Sequence, residues 1–117
     1  MLDTILKTTN LLNWDSIPTE NLPDGIKRQM IVGQNIMICR LKFPPGTVAA
    51  PHDHPHEQIT FVEKGKARFI IGNKEQLVSA GDILLFPPNT WHGATMLEEE
   101  VILIDIFSPI REDFLSE

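Results

Sequence analysis

A chain of 117 residues can bury one core but is too short for two ordinary catalytic domains, so an active site must lie within one domain or where copies meet. Sixteen acidic against 10 basic residues, a formal charge of -6, leave no basic stripe for phosphates and argue against nucleic acid as a partner. A small anion is not excluded, because a pocket can hold a cation that the net charge conceals.

Cys39 is the single cysteine, which rules out an internal disulfide and leads us to expect a reducing, cytoplasmic setting. Within the run IMICRLKF it reads as a buried small hydrophobe. The first residues lack a basic start followed by an unbroken apolar stretch, and no window nears 18 apolar residues. Neither a signal peptide nor a membrane span is therefore expected.

In chain order, residues 1–25 carry only weak alternation. TILKTTNLL reads either as a short helix or as an extended arm, and NLPDG at 21–25 as a turn. Short apolar runs follow: QMIV, IMICRLKF, EQITFV, ARFII, EQLVSA, DILLF, TWHGATM and VILIDIF, cut by Gly, Pro and Asn. None is long enough for an amphipathic helix of three turns, and β-branched and aromatic residues are common in them. The spacing predicts an all-β domain over 1–117 whose sheet closes or doubles on itself, with an N-terminal arm at about 1–25 and a short tail at about 109–117. In the tail, Pro109 should end the last strand and REDFL could form one turn.

The stretch PHDHPHEQ at 51–58 holds three of the four histidines. If 51–57 is extended throughout, His52, His54 and His56 share a face, and two imidazoles so spaced can converge on one ion. His92 follows the rigid turn FPPNT and can arrive from another strand as a third nitrogen. A fourth ligand could be His56, Gln58 or Glu57. Alternation puts Gln58, Thr60 and Val62 on one face and Glu57, Ile59 and Phe61 on the other, so only one set sees the site.

The apolar strand Val101–Phe107 carries one carboxylate in its middle. Burying that charge costs several kcal/mol unless it is paired or faces a wet cavity. Leu103, Asp105 and Phe107 share a face, so either that face is the cavity or Asp105 points outward; we favour the cavity. Arg40 and Arg68 also interrupt apolar runs, and each fits a cavity, a surface or a subunit contact.

The residues G46-x5-H52-x-H54-x3-Q58-x6-G65 and G81-x5-P87-x-N89-x2-H92 together resemble the two-part signature of the cupin superfamily. The resemblance implies a double-stranded β-helix (jelly-roll) barrel holding one divalent transition metal, Zn, Ni, Mn or Fe, through His52, His54 and His92. It puts Gln58 as the fourth ligand where the family usually has Glu. Asn89 stands where Gly is common and Met96 where Asn is frequent. A neutral Gln leaves the full charge of the ion to attract anionic oxygens.

H52-D-H54-P-H-E-Q58 and D105-I-F107-S-P-I-R111 further resemble the pectin-degradation group of small cupins. That resemblance implies a metal-dependent enzyme promoting ring opening and keto-enol tautomerisation of unsaturated monouronates from pectin or alginate. Asp105 would move the proton, with Phe107 and Arg111 at an anionic sugar-acid substrate; His56, outside the ligand motif, is expected at the mouth, facing substrate or solvent. The same cavity suits a metal-dependent dioxygenase, and a non-enzymatic binding cupin is a third reading. A homodimer is expected from the resemblance and from strand edges that need covering.

Overall fold

The structure, a computed structural model, describes residues 5–115. Its ten strands are β1 (Glu20–Asn21), β2 (Lys27–Val32), β3 (Met37–Phe43), β4 (Val48–His52), β5 (Glu57–Lys64), β6 (Lys66–Ile71), β7 (Lys74–Ser79), β8 (Ile83–Phe86), β9 (His92–Met96) and β10 (Val101–Ser108). They form an antiparallel six-stranded sheet, β1-β2-β3-β10-β5-β8, and an antiparallel four-stranded sheet, β4-β9-β6-β7. Among the described residues helix is confined to 3-10 turns at Trp14–Ser16, Pro23–Gly25 and Glu112–Leu115.

The all-β reading matches this architecture, but the barrel does not. A barrel needs ladder hydrogen bonds running from the last strand back to the first. Here the ladders stop at β1 and β8 in one sheet and at β4 and β7 in the other. Side chains join the two open sheets face to face instead, with Phe69 of β6 stacked on Phe86 of β8 at 6.0 Å between ring centroids. Short apolar runs cut by turns satisfy either solution, because alternation fixes which face is buried and says nothing about edge closure.

The chain changes sheets between β5 and β6 at Gly65, whose φ is +84° and where an added Cβ would lie 2.5 Å from the Glu100 carbonyl oxygen. Only glycine fits that crossing. Residues 5–12 contain no helix: Ile5 bridges Val32, and the Leu6 amide donates to the Val32 carbonyl at 2.7 Å. Residues 1–4 and 116–117 of the expected arm and tail lie outside the described residues.

The core lies between the sheets, where Phe43, Val62, Ala67, Phe69, Val78, Phe86, Met96, Val101 and Leu103 are buried. A second cluster, Val32, Met37, Cys39, Phe107, Ile110 and Leu115, fills the other end. Cys39 is wholly buried, and burial pushes its thiol pKa up to about 12. No helix of the described residues is long and apolar enough to cross a membrane.

Candidate metal centre

Register decides which side chains meet. β10 lies between β3 and β5, pairing Phe107 with Gln58, Asp105 with Thr60 and Leu103 with Val62 on one side, and Asp105 with Cys39 on the other. The inward face of β5 is therefore Gln58, Thr60 and Val62, as alternation requires. From the smaller sheet β4 brings His52 directly opposite His92 of β9, just past a register shift.

The histidines converge for a different reason from the one the sequence suggested. An unbroken strand over 51–57 is not what forms: β4 ends at His52, residues 53–56 turn, and β5 begins at Glu57. Pro51 and Pro55 deny the ladder two N–H donors, which favours the break. The turn is tied to the FPPNT segment by the Asn89 amide, which donates to the His54 carbonyl at 2.7 Å. Asn89 has φ 63°, the left-handed conformation that Asn tolerates where the family commonly places Gly.

Ring centroids lie 4.7 Å apart for His52 and His92, 5.1 Å for His54 and His92 and 5.4 Å for His52 and His54. One ligand nitrogen from each falls within 4.8 Å of the others. Every Nδ1 sits on a backbone carbonyl: His52 on Ala50 at 3.1 Å, His54 on His56 at 3.1 Å and His92 on Thr90 at 2.8 Å. A carbonyl only accepts, so each ring carries its proton on Nδ1 and, when neutral, offers a bare Nε2. Burial lowers the pKa of both His54 and His92, with Arg111 adding to the effect on His54, and so favours the neutral rings.

Gln58 Oε1 lies 3.0 Å from His54 Nε2. With the His54 proton on Nδ1 these are two acceptors face to face, an arrangement that calls for a cation between them. Ligand atoms typically lie about 2.0–2.2 Å from a divalent zinc, so both atoms are within reach of one ion. The donor set thus fits a divalent metal, and the carbonyl anchors are the outer contacts that fix ligand tautomers in metal sites. The site is capable of holding a divalent ion whose identity the residues leave open. His92 is further fixed by stacking on Phe86 at 4.5 Å.

A cavity of about 250 Å³ opens beside the histidines, and Asp105, Phe107, Arg111 and Phe114 line it with Gln58 and Thr60. Asp105 faces this cavity and not the outer surface. Burial pushes its pKa up to about 6, against the opposing hydrogen bonds from Thr60 and Gln58. Arg111 spreads over Phe107 at 5.1 Å and Phe114 at 4.3 Å, and its fork is held by Asp113 at 3.0 and 2.8 Å. His56 packs 6.5 Å from Phe107, centroid to centroid, and its buried Nδ1 has no hydrogen-bond partner among the described residues.

Other candidates lie elsewhere. Glu57 is exposed, Arg40 is bound by Glu63 at 2.9 and 2.7 Å on the outer face of the larger sheet, and Arg68 lies 3.8 Å from Glu75. Alternation puts Thr60 on the same strand face as Gln58, and both line the cavity. Phe114 is a wall residue that sequence reasoning missed, because only the Glu112–Leu115 turn brings it back to the cavity.

The Cupin domain family profile matches residues 39–107. The chain is 39% identical over 103 residues to the "Pectin degradation protein KdgF" of Dickeya dadantii (strain 3937), covering 86% of this chain and 94% of that protein. Among solved structures it is similar to KdgF from Halomonas sp., with a TM-score of 0.86 and 31% identity over 92% of this chain and 99% of that one. An RmlC-like cupin from Shewanella frigidimarina NCIMB 400 matches with the same TM-score and identity, 0.86 and 31%, over 92% and 97% of the two chains.

Proposed function

The chain belongs to the cupin family, and on that premise we propose that it is a metal-dependent enzyme that opens and tautomerises unsaturated monouronates released from pectin or alginate. The observation that carries the proposal is one cavity lined by His52, His92, Gln58, Asp105 and Arg111, in a chain 39% identical to a protein whose name places it in pectin degradation.

His52, His54, His92 and Gln58 would hold the ion. Bound there, a divalent cation supplies a Lewis acid that polarises the oxygens of an anionic sugar acid. The reaction is an isomerisation. The bond from the ring oxygen to the anomeric carbon breaks, the anomeric hydroxyl gives up its proton to leave an aldehyde, and carbon 4 takes up a proton as the enol becomes a ketone.

Asp105 is the group placed to carry that proton. A carboxyl whose pKa is raised to about 6 both accepts and returns a proton near neutrality more readily than an ordinary carboxylate. Arg111 presents the planar fork that pairs with a carboxylate through two parallel hydrogen bonds. Asp113 already occupies that fork in this geometry, and a substrate carboxylate would replace it. Phe107 supplies an apolar wall for a sugar face, whereas His56 does not line the cavity and its Nδ1 is buried.

The test is an anaerobic assay with unsaturated monouronates across several divalent metals. Turnover without oxygen, lost in Asp105→Asn while the metal is retained, is expected. Consumption of dioxygen with a redox-active ion would move the protein to the dioxygenases, and binding without turnover would make it a binding cupin.

The same reading includes a homodimer through the outer face of the larger sheet. Register aligns Ile31, Ile38, Ile106, Ile59 and Leu85 in one row across β2, β3, β10, β5 and β8. Leu85 is 60% exposed and Ile59 40%. A continuous aliphatic row on a twisted sheet is the surface that packs against a second copy of itself, sheet on sheet at about 10 Å.

A further inference from the structure

Thr60 is fully buried, at 0% exposure, on the sheet face between Gln58 and Val62. An apolar residue of its shape would fill that place without a polar atom to satisfy. Its hydroxyl instead touches two groups, donating to Asp105 Oδ1 at 2.7 Å and accepting from Gln58 Nε2 at 2.8 Å.

A hydroxyl has one proton to give. Thr60 spends it on the carboxylate, so only its lone pairs remain for Gln58, and they accept only from the amide nitrogen. The nitrogen is thereby held on the Thr60 side. Oε1 must then point the opposite way, where it lies 3.0 Å from His54 Nε2.

The reversed amide would do the opposite. It would set Oε1 against a hydroxyl whose proton is already given away, and its N–H groups would cap the bare Nε2 of His54. The two orientations therefore separate a residue that offers an oxygen to a cation from one that blocks a ligand nitrogen.

We infer that Thr60 is a positioning residue which, clamped between Asp105 and Gln58, orients the Gln58 amide so that its oxygen serves as the fourth metal ligand. The inference rests on the metal-site reading above. It also accounts for glutamine where the family usually has glutamate: a glutamate at 58 has no proton to donate toward Thr60 and would bring a second carboxylate up to Asp105.

The experiment is a double-mutant cycle read by zinc affinity, measured by competition with a chromophoric chelator. Thr60→Val is expected to weaken zinc binding about tenfold, the lower end of what outer contacts contribute in metal sites, and Thr60→Ser to restore most of it. In a Gln58→Ala background Thr60→Val should cost nothing further, because no amide is left to orient. Thr60→Ala runs the same cycle if the valine variant does not fold. Wild-type affinity in the valine variant, or an equal loss in both backgrounds, overturns the inference while leaving the metal site intact. Failure of the wild type to bind zinc, or retention of zinc by the His52→Ala/His92→Ala double variant, removes the site and the inference together.

Discussion

Asp105 illustrates how one side chain couples stability to chemistry. Its folded pKa of about 6 stands above the ordinary value of 3.8. The folded state therefore binds the proton more tightly than the unfolded state does. The stabilisation is complete below pH 4 and disappears as pH rises through 6. Asp105→Asn in metal-free protein is expected to gain stability relative to wild type over that window. The gain is at most about 3 kcal/mol, from roughly two pH units at 1.36 kcal/mol each, and is reduced by contact with cavity water. Urea unfolding at pH 4 and pH 7 measures it, and a difference independent of pH would contradict the buried-carboxylate account. The same substitution removes the proposed proton carrier, so turnover should fall by a hundredfold or more, on the scale of general acid–base catalysis.

Among the elements, the pairing of β4 with β9 brings together two of the histidines, His52 and His92. Gly93 follows His92, and a Cβ there would come within 2.8 Å of the Pro51 backbone, next to His52. Gly93→Ala must push the two strands apart at the point where the His52 and His92 rings are 4.7 Å from each other. The expected result is a destabilisation of about 1–3 kcal/mol and zinc affinity reduced at least tenfold. Thermal unfolding and metal titration would check both. β4 itself, VAAPH, was the strand least legible in the sequence, because it lacks the apolar alternation that marks β3, β5 and β10. Only the spacing of its histidine revealed that something there was fixed.

For the whole molecule, period-2 alternation sorted the side chains of β5 and β10 into two faces, and the register then set Thr60 and Cys39 beside Asp105. Alternation could not show that the two sheets stay open, since closure depends on edge hydrogen bonds and not on which face is apolar. Nor could it show the Arg111–Asp113 pair or the return of Phe114, both produced by the turn at Glu112–Leu115. The proposed pairing of copies is tested at this scale. Leu85→Asp would place a charge in the aliphatic row, and light scattering after size exclusion should find it monomeric where the wild type is dimeric. A monomeric wild type would end that proposal.

The three Nδ1 anchors have a consequence for how the site fills. Each imidazole is tethered by a carbonyl within two residues of itself, so its orientation is set by its own short stretch of chain and not by the guest. Loading should then be a fast, single-step capture with little entropy left to lose. Amide hydrogen exchange across β3, β10 and the part of β5 beyond Gln58 should run at the same rates in stripped and reloaded protein, and slowing would be confined to the segments around residues 52–58 and 90–93.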